Sequence, residues 1–352
     1  MNKIGLLTYQ NTTNFGSLLQ TYGLYKAVGD LGYDCEIIDY HNEVIDKREA
    51  PIRLKECWHP RILFRYIVRE PKKRKKEKEF LRFLHEDMKL SVNSYTKENV
   101  KNVSENYDTF LVGSDLVWDF SINGHDTTYM LDFLPQGKKR VAYASSVGKI
   151  WEEKDLVSAY LNRFEKIGVR ESQIADVLTE WLDKQVDFVC DPTMLIDGDG
   201  WKKLASKPVI NEPYILCYFA DRERKIFKDA IRYGKKHNIP VYVITYSGPV
   251  EGTKSVSPVS VYEFLSLILN ADTVFSASYH GMLFSMYFNK NFYYYNRGWK
   301  ARMESIARLT NVENREHYNG ENEEPINYDY VNAQLNKFRE ESVEKLRNYL
   351  KD

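Results

Sequence analysis

The chain has 352 residues, 43% of them hydrophobic, and its 50 Lys and Arg balance 50 Asp and Glu. This length suits two domains, and the zero formal net charge excludes a global electrostatic attraction to nucleic acid. No run reaches the ~18 apolar residues of a membrane span, and the N-terminus does not resemble a signal peptide. We therefore expect a cytoplasmic protein.

The cysteine pattern argues against a disulfide framework or a zinc site. None of the four cysteines belongs to a CxxC pair, and three lie in or beside apolar runs. We therefore expect buried, reduced thiols at Cys35, Cys57, Cys190 and Cys217.

Short apolar runs alternate with amphipathic runs along the whole chain. The predicted strands are 3–9, 35–40, 109–115, 140–146, 166–172, 186–192, 214–219, 241–246, 273–278 and 292–296. The predicted helices are 17–31, 61–87, 152–164, 173–183, 221–237, 259–270, 280–288, 300–310 and 330–350. The nearly continuous apolarity of the strands favours parallel sheets that are covered on both faces. The alternation predicts an α/β fold with two Rossmann-like domains facing across a cleft.

The strands fall into a first group of about four and a second group of five or six. We therefore place the domain boundary between residues 148 and 166. The predicted N-terminal domain is 1–160 and the C-terminal domain is 161–340. Residues 341–352 are the end of the last helix, for which packing back on the first domain is one option.

Residues 69–79, REPKKRKKEKE, form the one dense charge run of the sequence. One interpretation is a solvated helix face. The other is a basic surface for an anionic lipid or for a diphosphate-linked acceptor, which would bring the protein to the inner face of the membrane.

In open α/β sheets, ligands collect beyond the carboxyl ends of the strands, so the residues that follow each strand are candidates for a site. After strand 3–9, the loop QNTTNFGSLLQ brings Asn14, Gly16 and Ser17 to the start of a helix. Their backbone N–H groups could hold a phosphate or a carboxylate, or these residues could be an ordinary cap and turn. With one glycine, the loop is neither a GxGxxG fingerprint nor a Walker A loop.

Three further strands of the first half end in polar residues. Ser114 and Asp115 follow one strand, where Asp115 could accept from sugar hydroxyls or cap a turn. Arg170 follows the apolar strand residues 166–169 and suits bidentate binding of a carboxylate or phosphate, or an ion pair with a neighbouring acid. Asp191, before Pro192, is interpreted as part of a rigid turn.

In the second half, SYHG follows strand residues 273–277, with Ser278 as a helix N-cap and His280 in the first turn. The positive end of a helix stabilises a neutral imidazole. A bound polyanionic substrate would reverse this preference, so His280 makes sense as an acid when its substrate brings negative charge.

Taken together and in order, these segments resemble the polysaccharide pyruvyl transferase family. The matching stretches are KIGLLTYQNTTNFGSLLQTYGLYKAV, GYDCEIIDY, FLVGSDLVW, RVAYASSVGK, VRES, CDPTMLI, SYHGMLFSMYFNKNF and NRGWKARMESIARL. The resemblance covers most of residues 3–310 and leaves out residues 45–100 and the C-terminal tail. Tyr279 stands where related sequences often have Phe.

The resemblance implies a glycosyltransferase-B-like fold, an acceptor-side first domain and a donor-side second domain. It implies transfer of enolpyruvate from phosphoenolpyruvate to sugar hydroxyls of a polysaccharide or its lipid-linked precursor, as in capsule and exopolysaccharide biosynthesis. The product is a pyruvate ketal. By motif, Arg170 and His280 are the implied catalytic residues. The implied substrate-binding residues are Asn14, Gly16, Ser17, Gln20, Ser114, Asp115, Ser278, Arg297 and Arg302.

A mechanism follows from this implied donor. His280 would protonate its methylene carbon, and Arg170 would pair with its carboxylate or phosphate and stabilise the departing phosphate. We expect no cofactor besides phosphoenolpyruvate as co-substrate. We also expect no metal, and loss of turnover in EDTA would contradict that expectation.

Two other functions fit the same fold. A nucleotide-sugar-dependent glycosyltransferase would need a ribose-binding acid, for which Glu304 is available. A non-catalytic glycan-binding homologue would have no need of His280 and Arg170. The acceptor sugar and the oligomeric state do not follow from the sequence.

Overall fold

The protein is represented by a computed structural model that describes residues 2–49, 60–148, 150–218, 224–246, 248–296 and 300–351. The chain divides into two compact units. The first unit comprises Met1–Ala50, Leu81–Ile196 and Lys337–Asp352, and the second comprises Pro51–Phe80 and Asp197–Asn336.

The first unit is built on a seven-stranded parallel sheet. Its strands, β1 to β7, are Lys3–Leu7, Asp34–Tyr40, Leu90–Tyr95, Thr109–Val112, Lys139–Ser145, Lys166–Val169 and Asp187–Phe188. They are ordered β3-β2-β1-β4-β5-β6-β7. This order reverses between β1 and β4, which is the switch point where doubly wound sheets bind ligands.

The second unit has a smaller, five-stranded parallel sheet of the same design. Its strands, β8 to β12, are Ile215–Tyr218, Val241–Ile244, Lys254–Val256, Thr273–Ser276 and Asn291–Tyr294. The order β10-β9-β8-β11-β12 places the switch point between β8 and β11.

Helices connect the strands in both units. In chain order, α1 to α12 are Phe15–Asp30, Glu43–Glu49, Pro60–Asp87, Phe120–Asn123, Lys154–Leu161, Ser172–Leu182, Gly198–Leu204, Arg224–His237, Val261–Leu269, Tyr279–Tyr287, Lys300–Thr310 and Tyr328–Leu350. No helix of the described residues is both long and apolar enough to cross a bilayer.

The central strands are buried along their whole length, which is why their sequences are almost continuously apolar. All four residues of β4, β8 and β11 are buried. Helices cover both faces of such a sheet, so side chains of both parities are enclosed. The predicted α/β class with two Rossmann-like units is confirmed.

The structure corrects the domain boundary. Strands β6 and β7 continue the first sheet, so the change of unit falls after Ile196 rather than at residue 160. Grouping the strands by number placed the domain boundary too early. The sequence around β6 and β7 has no linker, because both strands follow helices of ordinary length. Arg170 therefore belongs to the first unit, not to the second domain predicted for residues 161–340.

The last helix, α12, ends in the first unit. The Tyr349 hydroxyl donates to Asp187 Oδ2 at 2.5 Å, and the Ser342 hydroxyl accepts from the Cys190 amide at 3.0 Å. Lys345 donates to the Phe188 carbonyl at 3.0 Å. These contacts cover the outer strand β7, whose unpaired edge would otherwise be open to solvent.

Three of the four cysteines, Cys35, Cys190 and Cys217, are buried and form no disulfide. Burial raises the pKa of the Cys190 thiol to about 12. These thiols are therefore protonated and unreactive at neutral pH. Cys57 lies outside the described residues.

Candidate active site

The first group of candidate residues lies at the carboxyl edge of the first sheet, on both sides of its switch point. The loop after β1 leads to Asn14, which caps α1 by accepting from Gly16 N at 2.9 Å and Ser17 N at 3.3 Å. The capping interpretation of Asn14 is therefore what the structure has. These amide groups bond the Asn14 side chain, so an anion held here would have to displace or supplement it.

Asp115 follows β4 and is the centre of this group. Its carboxylate accepts from the Ser17 hydroxyl through a short hydrogen bond and from Arg170 Nη2 at 3.3 Å. Its backbone has φ of 64°, a left-handed conformation that is uncommon for residues other than glycine, although Asp adopts it more readily than most. Conformations of this kind cluster at functional sites, so the geometry supports a functional role for Asp115.

Arg170 follows β6 and lies between two carboxylates. Its Nη1 donates to Asp191 Oδ2 at 2.5 Å, and its Nη2 donates to Asp115. The side chains of Arg170 and Asp191 are fully buried, whereas the Asp115 side chain is 15% exposed. Arg170 therefore forms the ion pairs with neighbouring acids that one of the two interpretations predicts. Of the three side chains, Asp115 is the one that solvent reaches.

Asp191 has a larger part in this site than its sequence context indicates. It caps the turn Pro192–Leu195, because its Oδ1 accepts from the Thr193 amide at 2.9 Å and the Thr193 hydroxyl at 2.7 Å. Gly23 of α1 lets this turn approach, since a Cβ there would overlap the Pro192 carbonyl. The Pro192 turn was visible in the sequence, but the pairing with Arg170 was not.

Gln20 and Ser114 are buried and connect α1 to the end of β4. Gln20 Oε1 accepts from the Ser114 amide at 3.2 Å, and its Nε2 donates to the Ser17 carbonyl at 2.9 Å. The Ser114 hydroxyl donates to the Ala144 carbonyl at 2.8 Å. Both residues were expected to bind substrate, but these bonds favour a role in positioning Ser17 and Asp115.

Tyr9 and Trp118 belong to the hydrophobic core of the first unit. Burial raises the pKa of Tyr9, and the charge of Asp115 raises it further, so the hydroxyl stays protonated and donates to the Leu116 carbonyl at 3.0 Å. Trp118 is buried in the core, where its Nε1 donates to the Tyr129 carbonyl at 2.8 Å. It is therefore a core residue and not an exposed platform for a sugar.

A second polar group at the same sheet edge was missed by the sequence analysis. His41, just after β2, contacts Asp46 at 2.9 Å through Nδ1 and Asp39 at 3.4 Å through Nε2. Hydrogen bonds with Asp39 and then Asp46 raise the pKa of His41 to about 10. The imidazole is therefore a fixed cation at neutral pH. Asn11 joins it by donating to Asp46 at 2.9 Å.

In the second unit, the candidate residues lie at the carboxyl edge of β11. Ser278 caps α10, with its hydroxyl accepting from the Gly281 amide at 3.4 Å. His280 is in the first turn and is 7% exposed. The structure thus confirms the strand, the cap and the helix start that the sequence predicts around this histidine.

Close packing fixes the start of α10. A Cβ on Gly281 would overlap the Ser276 hydroxyl and lie 2.9 Å from Tyr218 Cδ1, so glycine is what allows the helix to begin so near the strands. Tyr218 hydrogen-bonds with Ser278, and burial raises the pKa of the Tyr218 phenol. The result is a protonated phenol beside the helix start.

Of the two arginines predicted after β12, Arg302 lies near this group. Its guanidinium carbon is 5.4 Å from the centre of the Tyr279 ring, a cation–π distance. Arg297 lies outside the described residues. Among the described residues, no cluster of three or more His, Cys, Asp or Glu has the arrangement of a metal site.

The two parallel-sheet units, each with polar residues collected at the carboxyl edge, define a protein of the glycosyltransferase-B-like class. The sequence model of the family described as polysaccharide pyruvyl transferase matches residues 14–298. The chain belongs to that family, as its ordered motifs predict. No curated protein sequence matches the chain.

Solved structures resemble the chain over nearly its whole length. The UDP-GlcNAc 2-epimerase of Methanocaldococcus jannaschii is 12% identical, with a TM-score of 0.53 and coverage of 99% of both chains. A putative UDP-N-acetylglucosamine 2-epimerase from Listeria monocytogenes is 11% identical, with a TM-score of 0.52, 98% of this chain and 90% of that chain covered. At these identities the likeness shows the fold alone.

Proposed function

We propose that the protein transfers the enolpyruvyl group of phosphoenolpyruvate to two hydroxyls of a sugar, forming a pyruvate ketal. Membership in the pyruvyl transferase family supports a transferase that modifies a polysaccharide. The observation that carries the finer proposal is His280, an imidazole in the first turn of α10 at the carboxyl edge of a parallel sheet. A helix start of this kind favours anionic ligands, and phosphoenolpyruvate is a small polyanion.

In the proposed reaction, the imidazolium of His280 gives its proton to the methylene carbon of the donor, leaving positive charge on the central carbon. One acceptor hydroxyl adds to that carbon and loses its proton. A second hydroxyl then attacks the central carbon and gives its proton to the departing phosphate, as the bond between the central carbon and the bridging oxygen breaks. The ketal and inorganic phosphate are the products.

We assign the acceptor to the first unit. Asp115 follows β4 at the switch point of the first sheet, and its carboxylate is partly exposed to solvent. Carboxylates are good hydrogen-bond acceptors for sugar hydroxyls. Arg170 acts through Asp115 by holding it in place and balancing its charge. The roles first expected of Arg170, pairing with the donor and stabilising the departing phosphate, are not part of this assignment.

A polysaccharide precursor carried by a lipid diphosphate would suit the basic run of α3. Arg74, Lys75 and Lys78 are exposed in that run, and each such residue near an anionic membrane contributes about 1 kcal/mol of attraction. We include this membrane contact in the proposal because it would bring the protein to a lipid-linked acceptor.

The reaction is tested by incubating the protein with phosphoenolpyruvate, labelled with ¹³C at the central carbon and ¹⁸O at the bridging oxygen, and with a panel of methyl glycosides. We expect a ketal carbon signal, one phosphate per ketal, and ¹⁸O from the bridging oxygen retained in phosphate. His280→Gln should slow turnover about 10²- to 10⁴-fold. Release of a nucleoside diphosphate from a nucleotide sugar, with phosphoenolpyruvate untouched, would reject the proposal in favour of a glycosyltransferase.

A further inference from the structure

One lysine of the basic run on α3 is buried. Lys76 is 9% exposed, whereas Lys72, Arg74, Lys75 and Lys78 are exposed. Burying an ammonium group is costly unless something nearby offsets the lost hydration. The interpretation of residues 69–79 as a wholly solvated face is therefore wrong at this position.

Lys76 lies at the carboxyl end of β9. Its Nζ is 4.6 Å from the centre of the Tyr246 ring and 5.2 Å from that of Phe80. Lys72, one turn earlier, donates to the Ser257 hydroxyl at 3.3 Å, and Ser257 in turn donates to the Thr245 carbonyl at 2.6 Å. This side of α3 thus faces the residues that follow β9.

The same sheet edge leads from Lys76 to the candidate donor residues. Tyr246 lies two residues beyond β9, and Tyr218 is the last residue of β8, the strand that pairs with β9. Tyr218 hydrogen-bonds with Ser278, the cap of the helix that carries His280. Strand β8 separates β9 from β11, so the carboxyl ends of β9 and β11 are about two strand spacings, or roughly 10 Å, apart on this edge.

We propose that Lys76 is a donor-binding residue whose ammonium group pairs with the carboxylate or the phosphate of phosphoenolpyruvate at the carboxyl edge of the second sheet. This inference rests on the proposed function, and it adds a residue from the 45–100 stretch, which contains none of the motifs that carry the family resemblance. It also supplies positive charge in the second unit, whereas the Arg170 guanidinium pairs with Asp115 and Asp191 in the first unit.

The proposal is tested by calorimetric titration of the full-length protein with phosphoenolpyruvate. The variants are Lys76→Met, which keeps the apolar stem against the aromatic rings, Lys76→Gln, and the conservative Lys76→Arg. Lys235→Gln, at an exposed lysine near the end of α8, is the matched control. We expect Lys76→Met and Lys76→Gln to bind about 10- to 100-fold more weakly, as for a lost hydrogen bond between charged groups. Lys76→Arg should retain most of the affinity, and Lys235→Gln should match the wild type.

Thermal unfolding of each variant separates binding from packing. Wild-type affinity in a Lys76→Met protein would overturn the proposal, whether or not its Tm has fallen, because the lysine would then serve only to pack against the rings. An equal loss in the Lys235→Gln control would also overturn it. Failure of the wild type itself to bind phosphoenolpyruvate would reject the proposed function and this inference with it.

Discussion

At the residue scale, the first unit is organised around one guanidinium and two carboxylates. Arg170, Asp115 and Asp191 come from the ends of three different strands or turns, and only Asp115 reaches solvent. Three residues that would each be expensive to bury alone compensate one another in charge and geometry. We interpret the ion pairs of these three residues as fixing the orientation of the Asp115 carboxylate.

Removing the guanidinium should destabilise the fold. Arg170→Met leaves two buried or partly buried carboxylates without their cation, and we expect a loss of about 3–5 kcal/mol in the free energy of unfolding, measured in urea. Adding Asp191→Asn should recover part of this loss, because one uncompensated charge disappears. A loss below about 1 kcal/mol in the single variant would show that Arg170 does not hold the carboxylates.

His41 predicts a pH dependence of stability. Its pKa is raised from 6.5 to about 10 by Asp39 and Asp46. A raised pKa stabilises the fold fully below pH 6.5, and this contribution declines with rising pH and is lost as pH passes 10. Because the side chain is 37% exposed, we expect only roughly 0.5–1 kcal/mol after solvent screening.

The measurement is the difference in unfolding free energy between the wild type and His41→Gln at pH 6 and at pH 10. The wild type should be the more stable at pH 6, and the gap should close at pH 10. A gap that stays constant or widens between these two pH values would contradict the ion pairs assigned to His41.

At the scale of elements, the position of α10 depends on one glycine. Gly281→Ala would place a methyl group against Ser276 and Tyr218, so the helix start must shift away from the strands. A misplacement of about 1 Å at a reacting group can cost 10²-fold in rate, and we expect a loss of that order in turnover. The variant should remain folded, as judged by circular dichroism.

Gly29→Ala is the matched control for this change. Gly29 lies in α1, and a Cβ there would meet nothing within 4 Å. Replacing a helical glycine of this kind should stabilise the protein by about 0.4–1 kcal/mol and leave turnover unchanged. Equal turnover in the Gly281→Ala and Gly29→Ala proteins would show that the close approach of α10 is not needed for activity.

The sequence analysis missed two strands and three short helices, and each group has a physical reason. Strands β3 and β10 are edge strands, each paired on one side only, and three of the six β3 residues are exposed, including Val92. Without two covered faces, they lack the apolar run by which the central strands were recognised. The helices α2, α4 and α7 have four to seven residues, too few to display a helical period.

The sequence predicted which residues lie at the carboxyl edges of the sheets, but not which side chains pair with one another there. The rule that ligands gather at carboxyl edges located Asp115, Arg170, Ser278 and His280. It could not show that Arg170 pairs with two acids, because Asp115, Arg170 and Asp191 are 55 and 21 residues apart along the chain. Lys76 was hidden for the same reason, since its burial depends on which side of α3 faces the second sheet.

At the scale of the whole molecule, the alternation of strands and helices was enough to predict two units but not where the first unit ends. The chain returns to the first unit through the end of α12, which covers β7. No local pattern marks this return, because an amphipathic helix reports that one face is covered and not which element covers it.

The basic run on α3 predicts binding to anionic membranes. Charge reversal at three exposed positions, Arg74→Glu, Lys75→Glu and Lys78→Glu, should remove at least about 3 kcal/mol of attraction to vesicles that contain phosphatidylserine. We expect the wild type to sediment with these vesicles at low salt and the triple variant to remain in the supernatant. Equal sedimentation of both proteins, or of the wild type with purely zwitterionic vesicles, would contradict the electrostatic contact.

The most direct test of the central claim is the choice of donor. Calorimetric titration of the wild-type protein with phosphoenolpyruvate, in parallel with UDP-, GDP- and CMP-sugars, compares the two classes of donor under one set of conditions. We expect saturable binding of phosphoenolpyruvate and no binding of the nucleotide sugars. Tight binding of a nucleotide sugar, with no heat from phosphoenolpyruvate, would contradict it and identify the protein as a glycosyltransferase.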